Sequence, residues 1–312
     1  MPFRPSNAYL AIGKETVPGT AVTPTFAVPY APSSLAGMED VITPLRDESF
    51  RGIDSVVKGV SQGKRWTAPV WNANVYMEVL GYLFRAIIGP DTITGTGPYV
   101  HTFAQALTQP PSYTLLDWDQ VEPRVTPGCL LDEFTIKIDP KGFITYDVKW
   151  MGYPSAIAIT PPAPGSLPTV TDSPIGAIVT GTIGGTSVTN ILSADLTFKR
   201  GTEAVLAADG TVGPRNIFAG PLDVTGKIKT IYEARTADYN DFLTNTQSAV
   251  QLNLSVGAQT CSLRMSKAAR LNGTKQRGAK WLEYDFDIDA VHNTTDAGLL
   301  VATLTNTAAT AY

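Results

Sequence analysis

The stretch from Leu222 to Val256 changes its hydropathy period twice, and so constrains the fold more than any other segment of the chain. From Leu222 to Tyr232 apolar and polar residues alternate, which sets Leu222, Val224 and Ile228 on the face opposite Asp223, Lys227 and Lys229, as in a half-buried strand. The pattern then turns helical. Thr236 is placed to cap a helix whose first turn carries Asp238 and Asp241, acids favoured at the positive end of the helix dipole, and Tyr239, Phe242 and Leu243 share one stripe. Alternation returns between Ala249 and Val256, with Val250, Leu252, Leu254 and Val256 facing inward. The unit reads as strand, short helix, strand.

An earlier stretch echoes it. Gly63-Lys64, Thr67, Tyr76 and Leu80 match Gly226-Lys227, Thr230, Tyr239 and Leu243 without a gap, at a constant offset of 163 residues (226 − 63). Both stretches pass from a strand into a helix at the same place, which we read as a tandem duplication. On that reading the chain holds a first unit at 1–153, with an N-terminal arm and long loops, and a second at 175–312, ending in a small apolar tail. A linker at 154–174, with six prolines, separates them.

Within the first unit, Asn7 to Pro44 reads as an arm with short extended pieces at Ala8–Ile12 and Phe26–Tyr30, which gains order by lying on another surface. Arg46 to Ser55, with Arg46, Asp47, Glu48 and Arg51, is a charged loop. Asn74 is a fair cap for an apolar helix reaching Ile88, in which Tyr76, Leu80, Leu83 and Ile87 form one stripe and Val75, Val79, Tyr82 and Ala86 another. Such a helix belongs either in a core or between its own sheet and a neighbouring subunit. Four extended segments follow, Ser112–Trp118, Val121–Val125, Leu130–Asp139 and Phe143–Gly152, the last two joined by a turn at Asp139–Gly142. In the second unit, Glu283 to Asp289 alternates without a break: Tyr284, Phe286 and Ile288 line one face, and Glu283, Asp285, Asp287 and Asp289 the other.

Composition narrows the function. Charged residues make up 17% of the 312 residues, against about a quarter in average usage, so much of the surface is expected to be hidden against partners. A formal charge of −4 argues against binding nucleic acid by neutralising phosphates. Cys129 and Cys261 form no framework of disulfides or zinc ligands. The opening residues have no apolar run that would make a signal peptide, and Val75–Ile88 is too short to cross a bilayer.

The chain offers little for catalysis. His101 and His292 stand far apart, and neither lies in a nucleophile pattern. There is no GxSxG, HExxH, P-loop or GxGxxG motif, and Thr180–Thr186 lacks the lysine and helix of a phosphate cradle. The Glu283–Asp289 ladder is no calcium loop, because carboxylates on one strand face stand roughly 7 Å apart. It is either a solvated face or a negative surface turned towards something anionic. We expect no enzyme and no cofactor or metal.

Leu10-Ala-Ile-Gly-Lys-Glu-Thr-Val-Pro-Gly-Thr-Ala-Val-Thr-Pro24, the Arg51-Gly52 and Gly59 region, the apolar helix ending at Ile88-Gly89, Tyr99-Val-His-Thr-Phe103 and Pro111-Ser-Tyr-Thr-Leu115 together resemble the tail tube proteins of long-tailed bacteriophages, in particular those with non-contractile tails. The resemblance implies a mainly β protein: a β-sandwich, barrel-forming tube domain with a flanking short helix, here in two tandem copies. It further implies rings of six tube domains joined edge to edge and stacked into the conduit through which DNA is ejected into the host. Three chains would complete such a ring if the repeat holds, and six if it does not. The implied partners are further copies of the chain and the tape-measure, tail-terminator and baseplate or tip proteins, with DNA passing unbound. The implied location is the virion tail, after assembly in the host cytoplasm. On this reading Glu283, Asp285, Asp287 and Asp289 face the lumen, the Tyr76/Leu80/Leu83/Ile87 stripe meets a neighbouring subunit, and Arg46, Asp47, Glu48 and Arg51 reach the next ring. The competing reading is a β-sandwich binding module for carbohydrate or a receptor, with Trp66, Trp71, Trp118, Trp150 or Trp281 as stacking platforms.

Overall fold

The computed structural model describes residues 4–312 except 53, 158–159, 164, 169, 171, 233–236 and 278–279. Up to residue 153 it contains β1 (Tyr9–Lys14), β2 (Phe26–Val28), β3 (Asp40–Asp47), β4 (Gly59–Thr67), β5 (Val70–Asn74), helix α1 (Met77–Ile87), β6 (Asp91–Thr94), β7 (Tyr99–Ala104), β8 (Tyr113–Trp118), β9 (Pro123–Ile138) and β10 (Thr145–Met151). After residue 174 come β11 (Thr180–Ile183), β12 (Thr186–Val188), β13 (Ile191–Lys199), β14 (Glu203–Val205), β15 (Asn216–Phe218), β16 (Asp223–Ile231), helix α2 (Ala237–Thr244), β17 (Val250–Val256), β18 (Gln259–Met265), β19 (Ala268–Gln276), β20 (Glu283–Ala290) and β21 (Val301–Asn306). The protein is mainly β, as expected.

Two sheets form the layers of a sandwich. The larger runs β5-β10-β9-β13-β16-β20-β19 and branches at β9 into β8-β1-β2. The smaller runs β12-β11-β17-β18-β21-β7-β6. All named pairings are antiparallel. Both sheets cross the Pro-rich segment: β9 pairs with β13 in one, and β7 with β21 in the other. The two halves therefore share one core, and 154–174 does not separate two bodies. Leu167 from that segment packs on Ala11, Leu116 and Val125, and Tyr9 donates its hydroxyl to the Pro162 carbonyl.

The expected double change of period is present. Leu222, Val224 and Ile228 are buried on the inner side of β16, and Val250, Leu252 and Leu254 on that of β17. The Thr236 cap and the Asp238 side chain lie outside the described residues. In α2, Phe242 packs over Gly273 of β19, whereas Leu243 points outward and is exposed. Strand, helix and hairpin follow in the same order in both halves, and the large sheet holds the runs β5-β10-β9 and β16-β20-β19; the matched residues do not coincide with this likeness, because Gly63–Thr67 lies in β4, paired with β3 outside both sheets, whereas Gly226–Thr230 lies in β16. In the small sheet the two hairpins differ in placement, flanking β21 from opposite sides.

Three sequence expectations are corrected. The arm is a core strand, because β1 inserts between β8 and β2 and buries Leu10, Ala11 and Ile12. Val121–Val125 and Leu130–Asp139 belong to the single strand β9: Gly128, at φ +64°, absorbs a bulge and lets the strand continue past Pro127. The N-cap of α1 is Tyr76, with no side-chain cap, while Asn74 ends β5.

Helix α1 lies between the layers. Phe84 meets Phe103 of the small sheet and Phe134 and Phe198 of the large one, with centroids 5.6, 5.9 and 6.2 Å away. Its last carbonyls, which have no partner within the helix, are met by a side chain from the other half of the chain. Arg200 donates from Nε to the Ile87 carbonyl (2.6 Å) and from Nη2 to that of Ile88 (3.1 Å).

Candidate functional site: the polar face of the large sheet

Alternation along β20 gives the acids their place. Tyr284, Phe286 and Ile288 are at most 1% exposed in the core, which sends Glu283, Asp285, Asp287 and Asp289 to the opposite face. What lies beside them is set by register, and the side chains of directly opposed residues are neighbours on a sheet. Asp287 stands opposite Lys227, Lys227 opposite Asp195, and Asp195 opposite Lys137, which also pairs with Asp147. A second row runs Asp223, Lys199, Glu133, Lys149, its last pair closed at 2.8 Å. In a third, Lys229 holds Glu283 at 3.1 Å and Asp285 at 3.7 Å. Charge alternates in sign across strands from both halves of the chain.

The face is compensated with a negative remainder. Eight carboxylates (Glu133, Asp147, Asp195, Asp223, Glu283, Asp285, Asp287, Asp289) stand against five ammonium groups (Lys137, Lys149, Lys199, Lys227, Lys229). Hydrogen bonding to Asp147 raises the Lys137 pKa, and Glu283 and Asp285 raise that of Lys229. Partial burial pushes Asp195 and Asp289 up, with Asp223 adding to the latter. Each of these five lysines faces a carboxylate, so none of them meets an approaching phosphate as an uncompensated cation. Sequence reasoning found the acids but not the lysines that answer them, because period 2 fixes a residue's face and leaves its cross-strand neighbour open.

The other expected residues lie elsewhere. Leu80, Leu83 and Ile87 are at most 2% exposed and Tyr76 is half-buried; the chain's own two sheets and Tyr312 cover α1. The physical reason is that a helix apolar on two sides has been given two sheets. Only Tyr76, Glu78, Tyr82 and Arg85 remain part-exposed for any neighbour. Arg46, Asp47, Glu48 and Arg51 sit at the outer end of the β3–β4 hairpin, where Arg46 pairs with Glu48 (3.5 Å) and Arg51 with Asp47. Apolar residues are exposed there as well, Phe50 completely and Val56 and Val60 largely. The tryptophans form no common platform. Trp71 and Trp150 are buried and stack at 5.9 Å, Trp66 and Trp118 are half-buried, and Trp281 is exposed. His101 is buried, with its Nδ1 2.8 Å from Asp91 Oδ2 and its Nε2 2.9 Å from the Ala308 carbonyl oxygen.

A two-layer β protein with an unpaired β19 edge among the described strands, an exposed β3–β4 hairpin and a polar sheet face has the features of a structural subunit that associates. The family model described as phage tail tube protein matches residues 5–308, and the chain belongs to that family. It is a structural component of the bacteriophage tail that assembles with copies of itself into a tube and associates with other tail components. No curated protein matches the chain significantly. Among the described residues no helix is long and apolar enough to cross a membrane.

Proposed function

We propose that three chains close one ring of the tube, that rings stack, and that the polar face of the large sheet lines the conduit through which DNA leaves the virion. The observation that carries this reading is the charge-alternating face, which spans the five strands β10-β9-β13-β16-β20 of the seven-strand run from β5 to β19. Size supports three chains over six. With strands about 4.8 Å apart and tilted by about 40°, three such sheets would enclose a cylinder about 40 Å across at the backbone, or about 30 Å inside the side chains. A duplex with grooves about 8 Å deep on either side is roughly 20 Å across and passes with a layer of water. Six sheets would enclose about 80 Å.

The negative remainder keeps phosphates sliding, and the pairing of Lys137, Lys149, Lys199, Lys227 and Lys229 with carboxylates removes places to stick. Tape-measure, terminator and tip proteins of a long non-contractile tail are the tube's proposed partners, and the β3–β4 hairpin with Arg46, Asp47, Glu48 and Arg51 its proposed reach to the next ring. Replacing Asp285, Asp287 and Asp289 by lysine should leave tubes intact in electron micrographs and slow DNA ejection by tenfold or more. Ejection at the wild-type rate from such tubes would refute the lumen assignment, and a ring mass other than three chains the stoichiometry.

A further inference from the structure

The large sheet ends differently on its two sides. The outer edge of β5 is sealed within the chain, since Ala31 donates to the Asn72 carbonyl and Ala36 and Val70 exchange both main-chain hydrogen bonds. At the other end β19 pairs with β20 alone among the described strands. Inside the chain, the strand in the corresponding place, β9, continues into β13. Among the described residues no strand of the chain continues the sheet beyond β19, so its edge is open to a strand from another molecule.

The exposed residues on β19 and on the segment leading into β20 have a definite chemistry. Leu271 is 55% exposed, Trp281 50% and Leu282 43%. From Lys267 to Lys280 the sequence has five basic residues and no acid, and Arg277 and Lys280 are exposed. The segment that seals β5 borders a surface of the opposite kind. A groove of about 1240 Å³ lies between it, β1 and the Pro-rich segment, with Tyr9, Val28, Tyr30, Leu35 and Leu167 among its apolar lining and Asp117 and Asp119 as its carboxylates. Asp117 is short of positive charge: burial, then Asp119 and Glu39, push its carboxyl up to about 6 against the weaker pull of Arg124.

We propose that this groove receives the β19 edge of a second copy, with Leu271, Trp281 and Leu282 against the apolar lining and Arg277 and Lys280 against Asp117 and Asp119. The inference rests on the tube reading and names the surfaces that close the ring. The sealing segment then stands to the second copy's β19 as β13 stands to β9.

The test uses full-length chains, with association followed by sedimentation and electron microscopy and folding checked by circular dichroism. Arg277→Glu/Lys280→Glu and Asp117→Asn/Asp119→Lys should each raise the concentration needed for rings at least tenfold. Combining Arg277→Glu/Lys280→Glu with Asp117→Lys/Asp119→Lys should recover most of the loss. A photo-cross-linking residue at position 271 of otherwise wild-type chains should capture peptides containing Tyr9, Tyr30 or Leu167 of another copy. Rings that form equally well in every variant, or capture confined to other peptides, would overturn the docking and leave the tube reading standing. Wild-type chains that stay monomeric at every concentration would overturn both.

Discussion

The ring of Tyr312 lies against Gly81 of α1 so closely that a Cβ at position 81 would stand 2.1 Å from the tyrosine Cζ. Asn306 bonds the Tyr312 hydroxyl, Lys14 Nζ donates to its carbonyl oxygen (2.7 Å), and the rings of Tyr82 and His101 pack at 5.1 and 5.0 Å. In a solvent-exposed helix, glycine to alanine gains up to about 1 kcal/mol. Here the methyl group expels a buried tyrosine, and Gly81→Ala should cost about 2 kcal/mol net in denaturant titrations. In a Tyr312→Ala background the same substitution should stabilise, and that reversal of sign isolates the contact.

Glu15 is 7% exposed and accepts four hydrogen bonds. Thr114 Oγ1 and the Gly128 amide meet Oε1 at 2.8 and 2.7 Å, and Ser112 Oγ and the Gly19 amide meet Oε2 at 2.6 and 2.8 Å. Glutamine would turn an NH₂ towards a pair of donors. Glu15→Gln should therefore cost about 3 kcal/mol in urea unfolding despite its equal size.

Phe84 joins both layers and both halves of the chain through Phe103, Phe134 and Phe198. Phe84→Ala should lower stability by about 3–5 kcal/mol, and Phe84→Leu by less than half as much. Thermal unfolding should remain a single transition, because the sheets leave neither half a core of its own.

How much of this was legible in the sequence depends on the kind of information. Period announced β16, α2, β17 and β20, since each shows one face to the core and one to water. Period did not place β1 in the core: Ala8–Ile12 reads as an extended piece of an arm, but its Leu-Ala-Ile run is apolar throughout because it is covered on both faces, so no alternation marks an inner side. Nor did it join the two parts of β9, where Pro127-Gly128 imitates a break. The acid ladder was read as a ladder; its alternation with Lys227, Lys229 and Lys137 depends on pairings between distant residues. The contact between Gly81 and Tyr312 had no local signal at all.

Asp117 carries a pH dependence opposite to the usual acid effect. Its carboxyl sits at about 6 in the folded protein against an ordinary 3.8, so between those values the folded state holds a proton that the unfolded chain releases. Stability should fall as pH rises through that window and stay at the lower level above it. Asp117→Asn should accordingly raise stability at pH 7 by about 1 kcal/mol, a figure reduced for the half-exposed position, and change nothing at pH 3.5. Chemical denaturation of the monomeric chain at the two pH values checks both the sign and the size.

The last strand in the chain order, β21, lies inside the small sheet between β18 and β7, and the residues after it cover α1. Early hairpins such as β6–β7 and β9–β10 can thus form from local sequence, but the interior closes only once residues 301–312 are in place. Order of synthesis and order of closure thereby coincide: a chain lacking β21 would leave the β18 and β7 edges unpaired and the flank of α1 bare, so completeness of the polypeptide and completeness of the core become one condition.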